Sequence, residues 1–214
     1  MVGFYPEAPR GSSLKAALRS AICGLELRPM AVETPPPELG APCPDFRLLA
    51  VDGKTYARDD FAAQPVLAVM FICNHCPYVK AVEGRLIALA REFEGQGVQL
   101  VGVCSNDADT YPDDAFDKLA VRWREKGYGF PYLHDETQDV ARAFGAVCTP
   151  DIFVYDKDRR LAYRGRIDDS WKDETQVKRR ELAEALAALV AGGKPAGQQR
   201  PSMGCSIKWR PQAA

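Results

Sequence analysis

The sequence predicts an α/β fold, a mixed β-sheet flanked by helices, and three observations carry this prediction. Two continuous apolar runs, "PVLAVMFI" (65–72) and "VQLVGVCS" (98–105), are typical of buried central strands. The segment between them, "VKAVEGRLIALAREFEGQG", spaces its apolar residues as a helix does and stops at Gly95 or Gly97. A strand, a helix and a second strand in this order predict a parallel, right-handed unit.

The segments around this unit predict the other elements. In "PDFRLLAVDGKTYARDDF" (44–61), two short strands flank an Asp52-Gly53 turn, which favours a hairpin at an edge of the sheet, followed by a polar helical turn at 58–63. The later elements are a helix at about 115–125, a strand in "FPYLHD" (130–135), a helix over "ETQDVARAFG" (136–145) capped by Asp135, a hairpin of "DIFVYD" (151–156) with "LAYRGRI" (161–167), and a closing helix in 173–193.

This order divides the chain into three parts. Residues 1–38 read as an extension with a short helix from Ser12 or Ser13 to about Leu25, followed by a stiff Pro-rich linker. Residues 39–192 form the domain. Residues 193–214 form a C-terminal tail, rich in Gly and Gln at its start, that contains Cys205.

Composition and charge exclude several classes of function. The chain has 214 residues, 46% of them hydrophobic, enough for one domain with its own core. A formal net charge of -1 gives no electrostatic footprint for nucleic acid or an anionic membrane. No stretch approaches the roughly 18 to 20 apolar residues of a membrane span, and the N-terminal segment is a poor secretory apolar core. An Arg-bearing organelle presequence is an alternative, against which Glu7 and Glu26 count. We expect a cytoplasmic protein.

Two of the seven cysteines carry the chemical prediction. Cys73 and Cys76, in "FICNHCPYVK" (71–80), lie between the end of a buried strand and the start of a long helix. The free N–H groups and the dipole of a helix N-terminus stabilise a thiolate, and a second thiol two residues away can release a mixed disulfide. His75, when protonated, would add to this stabilisation. Pro77 makes Cys76 the helix cap in one geometry, whereas in the other the helix starts near Cys73.

Two other interpretations of the pair have less support. The cysteines could be small apolar core residues. A zinc or iron–sulfur site needs a second pair of ligands, which Cys148 and Cys205 could supply only if the fold brought them together. We therefore expect no metal and no cofactor.

Four segments together resemble the thioredoxin-like superfamily, in its redoxin branch related to alkyl hydroperoxide reductase and thiol-specific antioxidant proteins. They are "LGAPCPDFRLLAVDGKTY", "FICNHCPYV", "VCTPDIFVYD" and "GCSIKW", which span roughly residues 38 to 209. The resemblance implies a central sheet with helices on both sides and a cis Pro150 beside the two cysteines. It also implies that the backbone of Thr149 pairs with an incoming substrate strand.

The sequence departs from this family in two ways that bear on activity. Asn74 and His75 separate the cysteines, and Leu67 stands where thioredoxin carries a buried aspartate, so the usual proton acceptor is missing. A histidine directly before the second cysteine resembles strongly oxidising bacterial oxidoreductases, so we expect a reduction potential between about −270 mV, the value of thioredoxin, and about −120 mV. The peroxiredoxin pattern Pro-x-x-x-Thr-x-x-Cys, laid on Cys76, finds Val69 for the proline and Cys73 for the threonine. Arg164 and Arg166 remain candidates to assist a thiolate.

The remaining candidates are weaker. Cys148, two residues before Pro150, is either a third redox thiol or a half-buried small residue. Cys205, in a tail expected to be mobile, is either a resolving cysteine or part of a tail packed through Ile207 and Trp209. The other positions are expected to be structural: Cys23, Cys43 and Cys104 as small apolar residues, His134 as a strand end, and Glu83 and the acidic loop 107–114 as solvated charges.

The sequence thus predicts a thiol–disulfide oxidoreductase that cycles Cys73 and Cys76 between dithiol and disulfide. Cys73 is the expected nucleophile, Cys76 the resolving thiol and His75 the residue that tunes the thiolate, with Thr149 and Pro150 forming the substrate-side wall. The expected partners are protein or small-molecule disulfides and a recycling thiol reductant. The alternatives are a thiol peroxidase that reduces hydroperoxides through Cys76, and a non-enzymatic redox sensor.

Overall fold

A seven-stranded mixed sheet forms the centre of the molecule. The structure is a computed structural model, and it describes Met1 and residues 31–211. Its strands are β2 Arg47–Ala50, β3 Thr55–Ala57, β4 Val66–Phe71, β5 Val98–Cys104, β6 Tyr132–His134, β8 Asp151–Tyr155 and β9 Leu161–Arg164. Their spatial order is β3-β2-β6-β5-β4-β8-β9.

The central strand β4 is buried along its whole length and divides the core in two. It runs parallel to β5 and antiparallel to β8. Its alternate residues face opposite sides, as the pleat of a strand requires. Met70 faces the core that contains helices α1 (Pro77–Glu92), α2 (Phe116–Lys126) and α4 (Glu181–Val190), whereas Phe71 faces the core that contains α3 (Asp139–Phe144). The predicted mixed sheet with helices on both faces is confirmed.

A second, three-stranded sheet contains residues that the sequence assigned to an extension and a mobile tail. Strand β10 (Met203–Ser206) lies between β1 (Ala31–Glu33) and β7 (Cys148–Thr149) and is antiparallel to both. The compact unit therefore starts at Ala31 and includes the GCSIKW segment. Sequence patterns missed these strands because each has only two to four residues and alternates weakly.

Two predicted helices are shorter than the sequence indicated. The helix expected from 136 begins at Asp139, since the Asp135 carboxylate accepts hydrogen bonds from the N–H groups of Val140 and Ala141 and the chain turns at Gln138 (φ 65°). The closing helix, expected from 173, is confined to 181–190. Before it, Asp173 caps a short 3-10 turn at 174–176, and the Asp169 carboxylate holds residues 178–179 outside the helix.

The other predicted elements are confirmed. The edge hairpin β2–β3, the helical turn that follows it, the β4–α1–β5 unit, α2, the strand ending at His134 and the β8–β9 hairpin all appear near their expected bounds. The predicted helix between Ser12 and Leu25, together with Cys23, lies outside the described residues. Within residues 31–211, no helix is long and apolar enough to cross a membrane.

Candidate active site

The two cysteines of the CxxC pair lie at the junction of β4 and α1. Cys76 is the cap of α1, with an extended backbone (φ -66°, ψ 123°), and Pro77 is the first helical residue. This is the first of the two geometries that the sequence left open. Pro77 loses no hydrogen bond at this position because the first N–H groups of a helix have no partner within it.

Both sulfurs converge on Thr149, which comes from a distant part of the chain. Cys73 Sγ lies 3.3 Å from Thr149 Oγ1, and Cys76 Sγ lies 3.1 Å from the Thr149 carbonyl oxygen. The Thr149-Pro150 peptide bond is cis, which confirms that expectation. Cys73 and Cys76 are 1% and 0% exposed, so a reaction partner must displace part of the cover to reach either sulfur.

Asp114, which the sequence assigned to a solvated acidic loop, is fully buried in the site. Its Oδ2 lies 2.5 Å from His75 Nδ1 and accepts a hydrogen bond from Asn106 Nδ2 at 2.9 Å. Its Oδ1 accepts hydrogen bonds from the backbone N–H groups of Asn74 at 2.7 Å and His75 at 3.3 Å. The carboxylate therefore fixes the two residues between the cysteines. A single acidic residue in an acidic loop carried no sequence signal of this role.

The ring of His75 is held on its other side by stacking. It lies on the ring of Tyr111, with centroids 4.8 Å apart and an angle of 17° between planes. Lys208 Nζ lies 5.5 Å from the centroid of the Tyr111 ring. His75 keeps 20% of its side chain exposed, so it connects the buried Asp114 with solvent.

Hydrogen bonds among the thiols distinguish the two cysteines. Cys76 has a lowered pKa because the thiols of Cys205 and Cys73 hydrogen-bond to its sulfur, and the Thr149 hydroxyl and the Val79 N–H add to this against the opposing effect of burial. Cys76 Sγ also lies 3.1 Å from the Thr149 carbonyl oxygen, an acceptor that favours the protonated thiol. Burial raises the pKa of Cys73. The two pKa shifts therefore favour Cys76 as the thiolate and Cys73 as the thiol.

Cys205 belongs to this cluster, whereas Cys148 lies at its edge. Cys205 is 1% exposed and pairs in register with Thr149, so the edge at which a substrate strand was expected is occupied by the chain's own β10. The contact with Cys76, together with burial, raises the pKa of Cys205. Cys148 Sγ lies 3.5 Å from the carbonyl oxygen of Pro150, and burial raises its pKa. Cys148 is thus fully buried, not half-buried.

Comparison with known proteins identifies the family. The model of the AhpC/TSA family matches residues 39–164, more than half of the chain. The chain belongs to the AhpC/TSA family. No curated protein matches its sequence.

Solved structures agree with this family and its fold. An uncharacterized conserved protein from Geobacillus kaustophilus is 43% identical, with a TM-score of 0.82 over 86% of this chain and 98% of that one. The peroxidoxin BcpB from Mycobacterium tuberculosis is 21% identical (TM-score 0.52; 63% and 88% covered). The thioredoxin domain of a thiol-disulfide oxidoreductase from Bacteroides vulgatus is 16% identical (TM-score 0.52; 60% and 89% covered). The last two show the thioredoxin fold alone.

One group of side chains in this AhpC/TSA-family protein has a spacing that a metal ion could use. Donor atoms of Cys73, His75 and Asp114 lie within 4.8 Å of one another. His75 Nδ1 and the Asp114 carboxylate already bind each other, so a metal ion would have to replace that contact. Among the described residues, neither Cys148 nor Cys205 belongs to this group.

Three other charged side chains that the sequence singled out each bind a partner residue. Glu83 is buried, not solvated: it accepts hydrogen bonds from Arg122 and from the Tyr128 hydroxyl. Arg164 forms a paired contact with the buried Asp151, and Arg166 binds Glu181. Each of the two arginines is thus held by an acidic partner. Cys43 and Cys104 are buried apolar core residues, as expected.

Proposed function

We propose that this AhpC/TSA-family protein is a thiol–disulfide oxidoreductase that cycles Cys73 and Cys76 between dithiol and disulfide. The observation that carries the proposal is the convergence of both sulfurs on Thr149, at 3.3 and 3.1 Å. Two thiols at one helix N-terminus, each close to the same residue, form a pair in which one can attack a disulfide and the other can release the product.

The lowered pKa of Cys76 supports it as the attacking sulfur, the reverse of the order expected from sequence. The Cys76 thiolate attacks one sulfur of a substrate disulfide, and the first substrate thiolate leaves. Cys73 then loses its proton and attacks Cys76 Sγ in the mixed disulfide. The Cys73–Cys76 bond forms, the second substrate thiolate leaves, and two electrons have passed to the substrate. A thiol reductant restores the dithiol.

His75 and Asp114 are the proposed positioning and proton-accepting groups for Cys73. A ring nitrogen of His75 and a carboxylate oxygen of Asp114 lie within 4.8 Å of Cys73 Sγ. Cys73 is the thiol that must lose a proton in the second step, and its raised pKa makes a nearby acceptor necessary. Leu67 on β4 stands where thioredoxin carries a buried aspartate. In this proposal the carboxylate of Asp114, just before α2, supplies the missing proton acceptor.

The proposed substrates are protein or small-molecule disulfides, with a thiol reductant as the recycling partner in the cytoplasm. A cleft of about 380 Å³ adjoins Pro150 and is lined by Tyr78, Trp171 and Met203 among others. The rings of Tyr78 and Trp171 lie 4.2 Å apart between centroids. Charged side chains line the cleft as well, and Pro150 is the residue that connects it to the site of the thiols. A mixed apolar and charged surface of this kind suits the side chains that flank a disulfide in a peptide.

A thiol peroxidase is the second candidate, because a thiolate at Cys76 is also what attack on a hydroperoxide requires. The attack would give a sulfenic acid on Cys76 and release an alcohol or water. The Cys73 thiol would then attack the sulfur of the sulfenic acid, forming the disulfide and releasing a second molecule of water. Two features weigh against fast peroxide reduction. Cys73 stands in place of the threonine of the peroxidase pattern, and Arg164 is held by Asp151.

A trapping experiment with glutathione disulfide tests the proposal. In a Cys205→Ser background, which removes the third thiol near Cys76, we expect Cys73→Ser protein to accumulate a stable mixed disulfide of glutathione with Cys76. Cys76→Ser protein in the same background should not, and Cys43→Ser should behave like its parent. Trapping on Cys73 alone would restore the order expected from sequence. No mixed disulfide on either residue would refute the proposed function.

A further inference from the structure

The C-terminal strand β10 presents Cys205 to the redox pair. Its register places Cys205 opposite Thr149 and Ser206 opposite Cys148. Thr149 is the residue that contacts the sulfurs of both Cys73 and Cys76. A cysteine in this register is therefore held next to Cys76 by backbone pairing.

The chain around Cys205 is built for close approach to the Thr149–Pro150 segment. A Cβ atom on Gly204 would lie 2.0 Å from the Thr149 carbonyl oxygen, so only glycine fits there. On one side, the Ser202 hydroxyl donates a hydrogen bond to the Pro150 carbonyl at 2.7 Å. On the other, the Ile207 N–H donates to the Val147 carbonyl at 3.1 Å. Cys205 is thus fixed on both sides.

The three cysteines meet at Thr149. Cys73 Sγ lies 3.3 Å from its Oγ1, Cys76 Sγ lies 3.1 Å from its carbonyl oxygen, and Cys205 pairs with it in register; all three cysteines are at most 1% exposed. We propose that Cys205 is a third redox thiol that exchanges with the Cys73–Cys76 disulfide, and that β10 is an internal substrate strand. This inference rests on the proposed function and adds a second disulfide, Cys76–Cys205, to its cycle.

The exchange step needs no further oxidant. Cys205 loses its proton and its thiolate attacks Cys76 Sγ in the Cys73–Cys76 disulfide. The Cys76–Cys205 bond forms, the Cys73–Cys76 bond breaks, and Cys73 leaves as a thiolate that takes up a proton. One disulfide bond is present before the exchange and one after it, so the exchange itself transfers no net electrons. The two electrons of the whole cycle are those already given to the substrate disulfide. The product ties β10 to the start of α1 and frees Cys73.

Peptide mapping of the full-length protein tests this step. Trypsin places Cys73 and Cys76 in the fragment 59–80, Cys148 in 143–157 and Cys205 in 181–208, since Lys194 and Arg200 precede prolines. Cys73→Ser protein is treated with glutathione disulfide and digested without reduction. We expect the linked fragments 59–80 and 181–208 as the main product. In Cys73→Ser/Cys205→Ser protein, Cys76 should keep its glutathione.

A glycine substitution separates strand placement from thiol chemistry. In the Cys73→Ser background, Gly204→Ala should slow formation of the linked fragments by about tenfold or more, because the added methyl group pushes β10 away from Thr149. Gly197→Ala is the matched control, since no atom lies within 4 Å of its added Cβ, and should leave the rate unchanged.

The outcomes separate this inference from the proposed function. If Cys73→Ser protein keeps glutathione on Cys76 although Cys205 is present, the inference is wrong and the proposed function stands. Linkage of 59–80 to 143–157 instead would assign the third thiol to Cys148 and also refute the inference. No reaction of Cys76 with glutathione disulfide in any variant would refute both.

Discussion

The Nδ1 atom of His75 lies 2.5 Å from Oδ2 of Asp114, a carboxylate with no exposed side-chain surface. The same carboxylate also accepts hydrogen bonds from Asn106 and from the backbone of Asn74 and His75. A buried charge is tolerated when several donors satisfy it, and this one links a loop before α2 to the turn between the cysteines. The shape of the CxxC turn therefore depends on a residue distant in sequence.

Asp114→Asn should weaken both stability and turnover. An asparagine amide would place its own N–H donors against the N–H donors of the site and leave hydrogen bonds unmade. We therefore expect a loss of about 1–3 kcal/mol in the free energy of unfolding. Loss of the proton acceptor should also slow release of the second substrate thiol by Cys73. Urea unfolding and stopped-flow reduction of a disulfide measure the two effects. Asp113→Asn, on an exposed side chain next to it, is the control; equal effects of both changes would contradict this role.

The lowered pKa of Cys76 predicts one thiolate per reduced chain at mildly acidic pH. An ordinary cysteine, with a pKa of about 8.5, is almost fully protonated near pH 6. Near pH 6 the reduced parent protein should therefore show the ultraviolet absorbance of one thiolate, and the reduced Cys76→Ser protein should not. Cys43→Ser serves as the control. Loss of the signal in Cys73→Ser, with retention in Cys76→Ser, would assign the thiolate to the other cysteine.

Reaction of the reduced protein with hydrogen peroxide should be slow. Arg164 is bound to Asp151, and Cys73 replaces the threonine of the peroxidase pattern, so the groups that activate a peroxide are not assembled. We expect a second-order rate constant close to that of a free thiol. The rate is measured by mixing the reduced protein with peroxide and titrating the thiols that remain. A rate above about 10⁴ M⁻¹s⁻¹ that disappears in Cys76→Ser would establish the peroxidase instead.

Alkaline pH should destabilise the reduced protein. Burial raises the pKa of Cys43 to about 12, whereas its unfolded value is about 8.5. Above pH 8.5 the unfolded chain loses this proton while the folded chain keeps it, so stability present at lower pH falls as pH rises toward 12. The loss approaches about 1.4 kcal/mol per pH unit for each such thiol. Cys43→Ala should give a shallower dependence of the urea midpoint on pH between about 8.5 and 10; an unchanged slope would contradict this assignment.

The core of the fold could be predicted because its signals are local and strong. The apolar runs of β4 and β5, the periodicity of α1 and the turn at Gly53 each specify one element, and the order of elements then limits the topology. The small sheet could not be predicted in this way. Strand β1 pairs with β10, and β10 also pairs with β7; β1 and β10 contain no periodic pattern of their own.

Only the parts of the site that follow from the spacing of residues in the sequence could be predicted. The position of Cys73 and Cys76 before a helix, and the Thr-Pro segment, specified the pair and its wall. The roles of Asp114 and Cys205 depend on contacts across more than 35 residues, which a single sequence does not reveal. Glu83 was misjudged for the same reason: its partners, Arg122 and Tyr128, lie on and just after another helix.

A redox titration tests the central proposal most directly. The full-length protein is equilibrated in glutathione buffers of known potential, quenched with acid, alkylated and mapped with trypsin. In a Cys205→Ser background, where no Cys76–Cys205 bond can form, we expect one two-electron transition to an internal disulfide of the fragment 59–80, with a midpoint between about −270 and −120 mV. The Cys73→Ser/Cys205→Ser variant should form no internal disulfide in this fragment and should carry glutathione on Cys76 instead. A midpoint below about −270 mV would contradict the expected potential. A fragment 59–80 whose two thiols never oxidise together would contradict the dithiol–disulfide cycle itself.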